Sequence, residues 1–140
     1  MPRGYRFLDH MSDVYVEAYG DTLEEAYAQA GVALFRTLIP EAEGVDKEVD
    51  VEVRGDDLYQ LLYNWLEELL LRFELDGIVA TDIEVRRIEE TDSGYVLKAV
   101  LRGVGYDPSR HRTGTAVKAP TYALMEIDTG NNRLRYVLDI

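Results

Sequence analysis

From Val45 to Arg54 the chain alternates. Val45, Lys47, Val49, Val51 and Val53 fall on one side, and Asp46, Glu48, Asp50, Glu52 and Arg54 on the other. A period of two predicts a half-buried strand over 45–54, with Lys47 interrupting its apolar face. On either side of this stretch the period lengthens. Leu23, Ala26, Tyr27, Ala30, Leu34 and Leu38 recur at helical spacing and form one apolar stripe. Thr22-Leu23-Glu24-Glu25 has the spacing of a capping box, Asp21 adds favourable charge before it, and Pro40 stops the helix. Leu58, Leu61, Leu62, Trp65, Leu66, Leu69, Leu70 and Phe73 make a wider stripe. It predicts the main core helix from Leu58 to about Leu75, with Asp56-Asp57 at its start and Gly77 as a left-handed cap at its end.

The remaining apolar runs are short and rich in β-branched and aromatic residues. Residues 5–8 and 13–20 read as extended. So do 78–89 and 95–102, joined by the turn Thr91-Asp92-Ser93-Gly94. Residues 103–115 look irregular. Two further strands are expected at about 116–128 and 133–139, joined by Thr129-Gly130-Asn131-Asn132. Consecutive strands with short turns imply antiparallel pairing. The fold class expected is therefore α+β: one domain over residues 1–140, mainly an antiparallel sheet with two helices packed on it. No repeat, linker or low-complexity stretch interrupts it.

Composition narrows the function. The formal net charge is −12, from 27 acidic and 15 basic residues. Phosphate backbones are bound by clustered Lys and Arg, so independent nucleic-acid binding is not expected. A cation or a basic protein surface suits this charge better. Cysteine is absent, which removes disulfides, thiolate nucleophiles and thiolate zinc sites. No apolar run approaches a membrane span, and Met1-Pro2-Arg3-Gly4-Tyr5-Arg6 leads into no signal-peptide core. The expectation is a cytoplasmic protein. High charge without cysteine leans toward a thermophilic source.

Candidate chemistry concentrates in two places. The last residues, Arg133 to Ile140, read as a strand with no polar tail behind them. If the terminus is held in the fold, Asp139, the Ile140 carbonyl and the terminal carboxylate become fixed oxygen donors. A second acidic cluster, Leu8-Asp9-His10-Met11-Ser12-Asp13-Val14, sits near the other end. Chain ends of compact domains often lie close together. Brought together, Asp13, Asp139 and Ile140 would suit a hard cation such as Ca²⁺ or Mg²⁺. The plainer alternative is that Asp13 caps a turn, Asp139 is a solvated strand residue and His10 is a hydrogen-bonded histidine at a strand end. The second place is basic: Arg102, Arg110, His111, Arg112 and Lys118 fall close together in an otherwise acidic chain. They would suit a phosphate or an acidic partner, against the plainer reading of scattered charge on a solvated loop. Catalytic residues are not expected. None of Ser12, Ser93 and Ser109 sits in a nucleophile elbow, and Gly103-Val104-Gly105 lacks the context of a phosphate loop.

Several segments, taken together and in order, resemble the archease family. They are Phe7-Leu8-Asp9-His10-Met11-Ser12-Asp13, then Gly20 to Ala26, then Gly55-Asp56-Asp57-Leu58 leading into Leu66-Glu67-Glu68-Leu69-Leu70, then Val117-Lys118-Ala119-Pro120-Thr121-Tyr122, and finally Leu138-Asp139-Ile140. The resemblance spans essentially the whole chain. It implies a non-enzymatic activator of the GTP-dependent tRNA-splicing RNA ligase of the RtcB type. Such an activator promotes guanylylation of the ligase and multiple turnover, and broadens its nucleotide use. It also implies a metal, usually Ca²⁺ with Mg²⁺ or another divalent ion as alternatives, held by Asp13, Asp139 and Ile140. His10, His111 and Lys118 become candidates for contact with the partner or its nucleotide. Two positions depart from the family pattern. Met11-Ser12 replaces a usual Thr-Ala before Asp13, and Pro120 stands where an aliphatic residue is common, which argues for an edge strand or a bulge there. The acidity also admits a general chaperone or modulator of RNA-modifying enzymes.

Overall fold

The computed structural model describes residues 2–9 and 12–140. The strands are β1 (Gly4–Leu8), β2 (Val14–Tyr19), β3 (Lys47–Gly55), β4 (Ile78–Thr91), β5 (Gly94–Gly105), β6 (Ala119–Asp128) and β7 (Arg133–Asp139). The helices are α1 (Leu23–Leu38) and α2 (Leu58–Leu71). The antiparallel α+β class read from the sequence is the class observed. The strands divide into two sheets, one ordered β1-β2-β7-β6 and the other β3-β5-β4. Both helices bridge them. α1 packs on β2 of the first sheet and β4 of the second, and α2 packs on β6 and β3.

This bridging explains why α1 is buried almost all round rather than along one stripe. Ala28, Gly31 and Ala33 are buried with Ala26, Tyr27, Ala30, Leu34 and Leu38. Small side chains on the second face let the other sheet approach. At Gly31 a Cβ would come within 2.7 Å of both Ile83 Cδ1 and Leu69 Cδ1, so the missing side chain makes room for β4 and α2 together. Both helix starts are capped as their sequences suggest. Thr22 accepts from the Glu25 N–H at 3.1 Å, and Glu25 reaches back to the Asp21 N–H at 2.9 Å. Asp57 accepts from the Gln60 N–H at 2.8 Å. The second helix loosens into a π turn over Arg72–Asp76 before Gly77, at φ 70°, ends it in the left-handed conformation.

Three buried aromatic donors of the core find backbone acceptors. Trp65 Nε1 donates to the Tyr27 carbonyl at 2.8 Å, the Tyr27 hydroxyl to the Leu58 carbonyl at 2.7 Å and the Tyr136 hydroxyl to the Ala30 carbonyl at 2.7 Å. These bonds tie α1 to α2 and to β7. Burial pushes both phenols well above their ordinary range, so they remain neutral donors.

Among the boundaries that differ from the sequence expectation, three bear on the connecting loops. The strand expected from Val45 begins at Lys47. The strand expected from about 116 begins at Ala119. β5 extends to Gly105, which shortens the irregular loop at its start. Between Gly105 and Ala119 the chain serves the end of α1 instead of a sheet: Gly114 and Thr115 donate their N–H groups to the carbonyls of Leu38 and Thr37, each at 2.8 Å. Those carbonyls have no partner within the helix, so the loop completes them.

Gly103 is the tightest point of the second sheet. It pairs with Lys47 on one side and Ala80 on the other, beside a register shift between Ala80 and Asp82. A Cβ there would overlap the Val79 carbonyl oxygen and sit 2.7 Å from the Ala80 Cα. Backbone cannot yield as a flexible side chain does. Gly103→Ala is therefore expected to lower the unfolding free energy by about 3 kcal/mol or more in urea titration. Gly130→Ala, whose Cβ meets nothing closer than 3.5 Å, should change it by less than about 0.5 kcal/mol.

Candidate functional site

The two halves of the sequence-predicted acidic site meet at one end of the first sheet. β2 and β7 run antiparallel, with Val14 opposite Leu138. The next positions outward are Asp13 and Asp139. Asp139 is exposed and Asp13 half-buried. On the other side of β7, Ala119 pairs with Asp139, and the Lys118 N–H donates to the Asp139 carbonyl at 2.8 Å. Asp13, Lys118, Asp139 and Ile140 therefore share one edge of the fold, the last of these 37% exposed. Asp13 also opens onto a cleft of about 350 Å³, bounded by Phe7, Val14, Arg36 and Thr115. Arg36 turns its guanidinium to the Pro40 and Ala42 carbonyls beyond the end of α1.

A buried ion pair holds the strands that carry this edge. Glu17 is 4% exposed at the middle of β2. Its two carboxylate oxygens accept from Arg6 Nε on β1 and Arg135 Nε on β7, each at 2.8 Å. One carboxylate thus bridges three strands. Burial alone would push the Glu17 carboxyl up. The hydrogen bonds from Arg135 and Arg6, with their charges, outweigh it and hold the group below its ordinary value.

Chemically, the Asp13/Asp139 edge offers hard oxygens on neighbouring strand ends, which fits a hard cation better than a soft one. Among the described residues no group of three or more His, Asp or Glu side chains converges. Two carboxylates and a main-chain oxygen at Ile140 would be a minimal set, which a cation would need water or other groups to complete.

The other predicted residues lie apart from this edge or outside the description. His10 falls outside the described residues. His111 is used within its own turn: Nδ1 accepts from the Asp107 N–H at 2.9 Å, and the ring lies over Tyr106 at 6.0 Å. Asp107 closes that turn by accepting from the Ser109 hydroxyl at 2.7 Å, which holds its carboxyl below its ordinary value. The stretch of basic residues does not gather into one patch. Arg102 lies on the second sheet among Glu48, Asp82 and Glu84, at 3.2, 3.6 and 3.0 Å. Arg112 meets Glu41 at 3.4 Å. Two features escaped the sequence reading. One is the Glu17 bridge, whose only trace is a single carboxylate in the otherwise uncharged run Val14 to Tyr19. The other is a stack of Tyr63 on Tyr122, 4.6 Å between ring centroids. Tyr59 and Tyr63, four apart on the polar side of the helix, were its available signal.

These features define a small acidic α+β protein whose first sheet joins its N- and C-terminal strands. The sequence profile of the archease protein family (MTH1598/TM1083) matches residues 5–140, and the chain belongs to that family. Protein archease of Pyrococcus abyssi is 45% identical over 121 residues, covering 86% of this chain and 84% of the relative. Protein archease of Methanopyrus kandleri is 37% identical over 137 residues, covering 95% and 96%. Among solved structures, the solution structure of Methanobacterium thermoautotrophicum protein 1598 aligns with a TM-score of 0.75 at 28% identity, covering 98% of this chain and 99% of that one. The crystal structure of a Thermotoga maritima archease, described as a possible chaperone, aligns at 0.54 with 18% identity over 94% and 92%, a likeness of fold.

The bridge makes a pH-dependent prediction. A carboxyl held below its unfolded value contributes stability above that value and loses it as pH falls through the folded value. Glu17→Gln should cost about 1–2 kcal/mol at pH 7, with the solvent-exposed side of Arg6 keeping the figure modest. The gap between the variant and the parent should begin to close below pH 4.5 in denaturant titrations at stepped pH.

Proposed function

We propose that this protein is a non-enzymatic activator of a GTP-dependent tRNA-splicing RNA ligase, and that it works in the cytoplasm. In this reading it promotes guanylylation of the ligase, sustains multiple turnover and broadens the nucleotides the ligase accepts. Family membership supports the reading. So does the meeting of Asp13 and Asp139 at one sheet edge, which is the observation that carries it. The proposed metal site uses the carboxylates of Asp13 and Asp139 and a main-chain oxygen of Ile140, with Ca²⁺ as the first candidate and Mg²⁺ or another divalent ion as alternatives. When bound, such an ion supplies a fixed positive charge that attracts phosphate oxygens.

Guanylyl transfer depends mostly on positioning and on neutralising charge. An acidic helper protein can act by docking beside the ligase site and helping to order metal and nucleotide there. It can also act by binding the product-releasing state preferentially. The exposed edge holding Asp139 and Ile140, with Lys118 alongside, favours the first. His10 and His111 remain candidates for a partner or nucleotide contact. The work of the chain's own residues is to present oxygens, hold their strands in register and offer a surface to the partner.

A second reading, a general chaperone or modulator of RNA-modifying enzymes, draws on the description of the Thermotoga relative as a possible chaperone. A client panel separates the two. A chaperone suppresses aggregation of unrelated proteins, whereas a ligase activator does nothing without its ligase.

The direct test is RNA ligation under multiple turnover with the cognate ligase. Asp13→Ala and Asp139→Ala should keep the native circular-dichroism spectrum yet abolish stimulation. Full stimulation by either variant refutes the metal-site role. Separately, Ca²⁺ at about 100 times its Kd should raise the unfolding free energy of the parent by roughly 2.7 kcal/mol and leave both variants unmoved.

A further inference from the structure

Beyond the acidic edge, β6 and α2 together expose a cluster of large apolar side chains. Tyr59 and Tyr63 lie one turn apart on α2, and Tyr122 of β6 stacks on Tyr63 with an interplanar angle of 11°. Tyr59 is 44%, Tyr122 51% and Leu124 54% exposed. Scattered exposed apolar residues need no explanation, but a contiguous set marks a surface that meets something. β6 is an edge strand whose pairing with β7 breaks between Thr121 and Glu126, and Leu124 within that break has φ 57°. Left-handed backbone is uncommon for leucine, and the break displays Tyr122 and Leu124 outward instead of completing the ladder.

The flanks of this cluster are acidic. Asp57, which caps the start of α2, and Glu67 within it lie to either side of Tyr63 in the sequence, and both are exposed. Partial burial, Tyr63 and these two carboxylates together raise the Tyr122 hydroxyl above its ordinary range. Neither carboxylate has an ion-pair partner among the described residues. The surface thus combines flat aromatic faces with negative charge that no basic side chain among the described residues neutralises, one Asp57 oxygen serving the helix cap and the other left to a partner.

We propose that this acid-flanked tyrosine ladder docks an arginine-bearing segment of a protein partner. A guanidinium is the one common side chain that stacks flat on an aromatic face while donating hydrogen bonds to carboxylates beside it. A nucleic-acid strand could stack its bases on the same rings, but its phosphates would meet Asp57 and Glu67 on a protein of net charge −12. The proposal stands apart from the ligase reading, because it names the partner's chemistry and not its identity.

The test uses the full chain, isotopically labelled, in amide-shift titrations with three probes: the acetylated peptide Gly-Arg-Gly-Arg-Gly, its lysine counterpart and a decauridylate. The expected result is saturable shifts confined to residues 57–67 and 121–126 with the arginine peptide, and several-fold weaker binding of the lysine peptide. The response should be lost in Tyr122→Ser and in the double variant Asp57→Asn/Glu67→Gln. The Asn keeps a helix-capping side chain at position 57, so a melting temperature near that of the parent separates lost binding from lost fold. Absence of saturable shifts at these residues overturns the proposal. So does an equal response to the lysine peptide, which is charge attraction alone. Preferential binding of the decauridylate there assigns the surface to nucleic acid, and shifts at the same residues on simple concentration of the protein assign it to a second copy. Either result overturns it too.

Discussion

The antiparallel pairing of β2 with β7 is the constraint on which the rest depends. It closes a loop of more than a hundred residues, and the entropy of that closure must be repaid by what the pairing anchors. Part of the return is apolar: Val16, Ala18, Leu134, Tyr136 and Leu138 face the core from the two strands. Part is polar. The Tyr136 hydroxyl reaches into α1, and Glu17 bonds to arginines on the strands either side of its own. A one-residue slip would send the core set to the solvent face and carry Glu17 away from both arginines, so burial and charge specify the same register. That register brings the numbering extremes Asp13 and Asp139 to one place.

The helices show how much a single chain can ask of one element. α1 is not the cover of a sheet but the spacer between two, and alanines and a glycine on its second face fit that role. α2 is more asymmetric. It gives one side to the core and turns Tyr59, Tyr63 and Glu67 outward beside the broken part of β6. Rigid packing on one side is what allows an ordered display on the other.

Most of the elements were legible in the sequence because each rests on local physics. The alternation of β3, the capping box before α1, the wide stripe of α2 and the left-handed Gly77 all act within a few residues. Pro120 also announced its setting, since a residue without an N–H suits an edge strand, which β6 proves to be. What stayed illegible is relational. Nothing local says that the strands part into two sheets; the alanines on the second face of α1 carry that information only once both sheets are known. Likewise the run of basic residues from Arg102 to Lys118 looks continuous in the sequence. In space Arg102 belongs to an ion-pair network on the second sheet, and His111 to the turn beside Tyr106. For the acidic site, a shared location of Asp13 and Asp139 could be suspected from the closeness of chain ends, but only the β2–β7 register puts each one position beyond the paired Val14 and Leu138.

The interrupted pairing of β6 has a wider meaning for how this molecule keeps company. A long, flat outer strand invites any stray strand to zip onto it, which is how soluble sheets begin to form fibres. Here one of the two outer strands of the first sheet, β6, carries a proline near its start and a break in its pairing farther along. Recruitment by backbone templating is discouraged along that border, and whatever approaches there is read through its side chains.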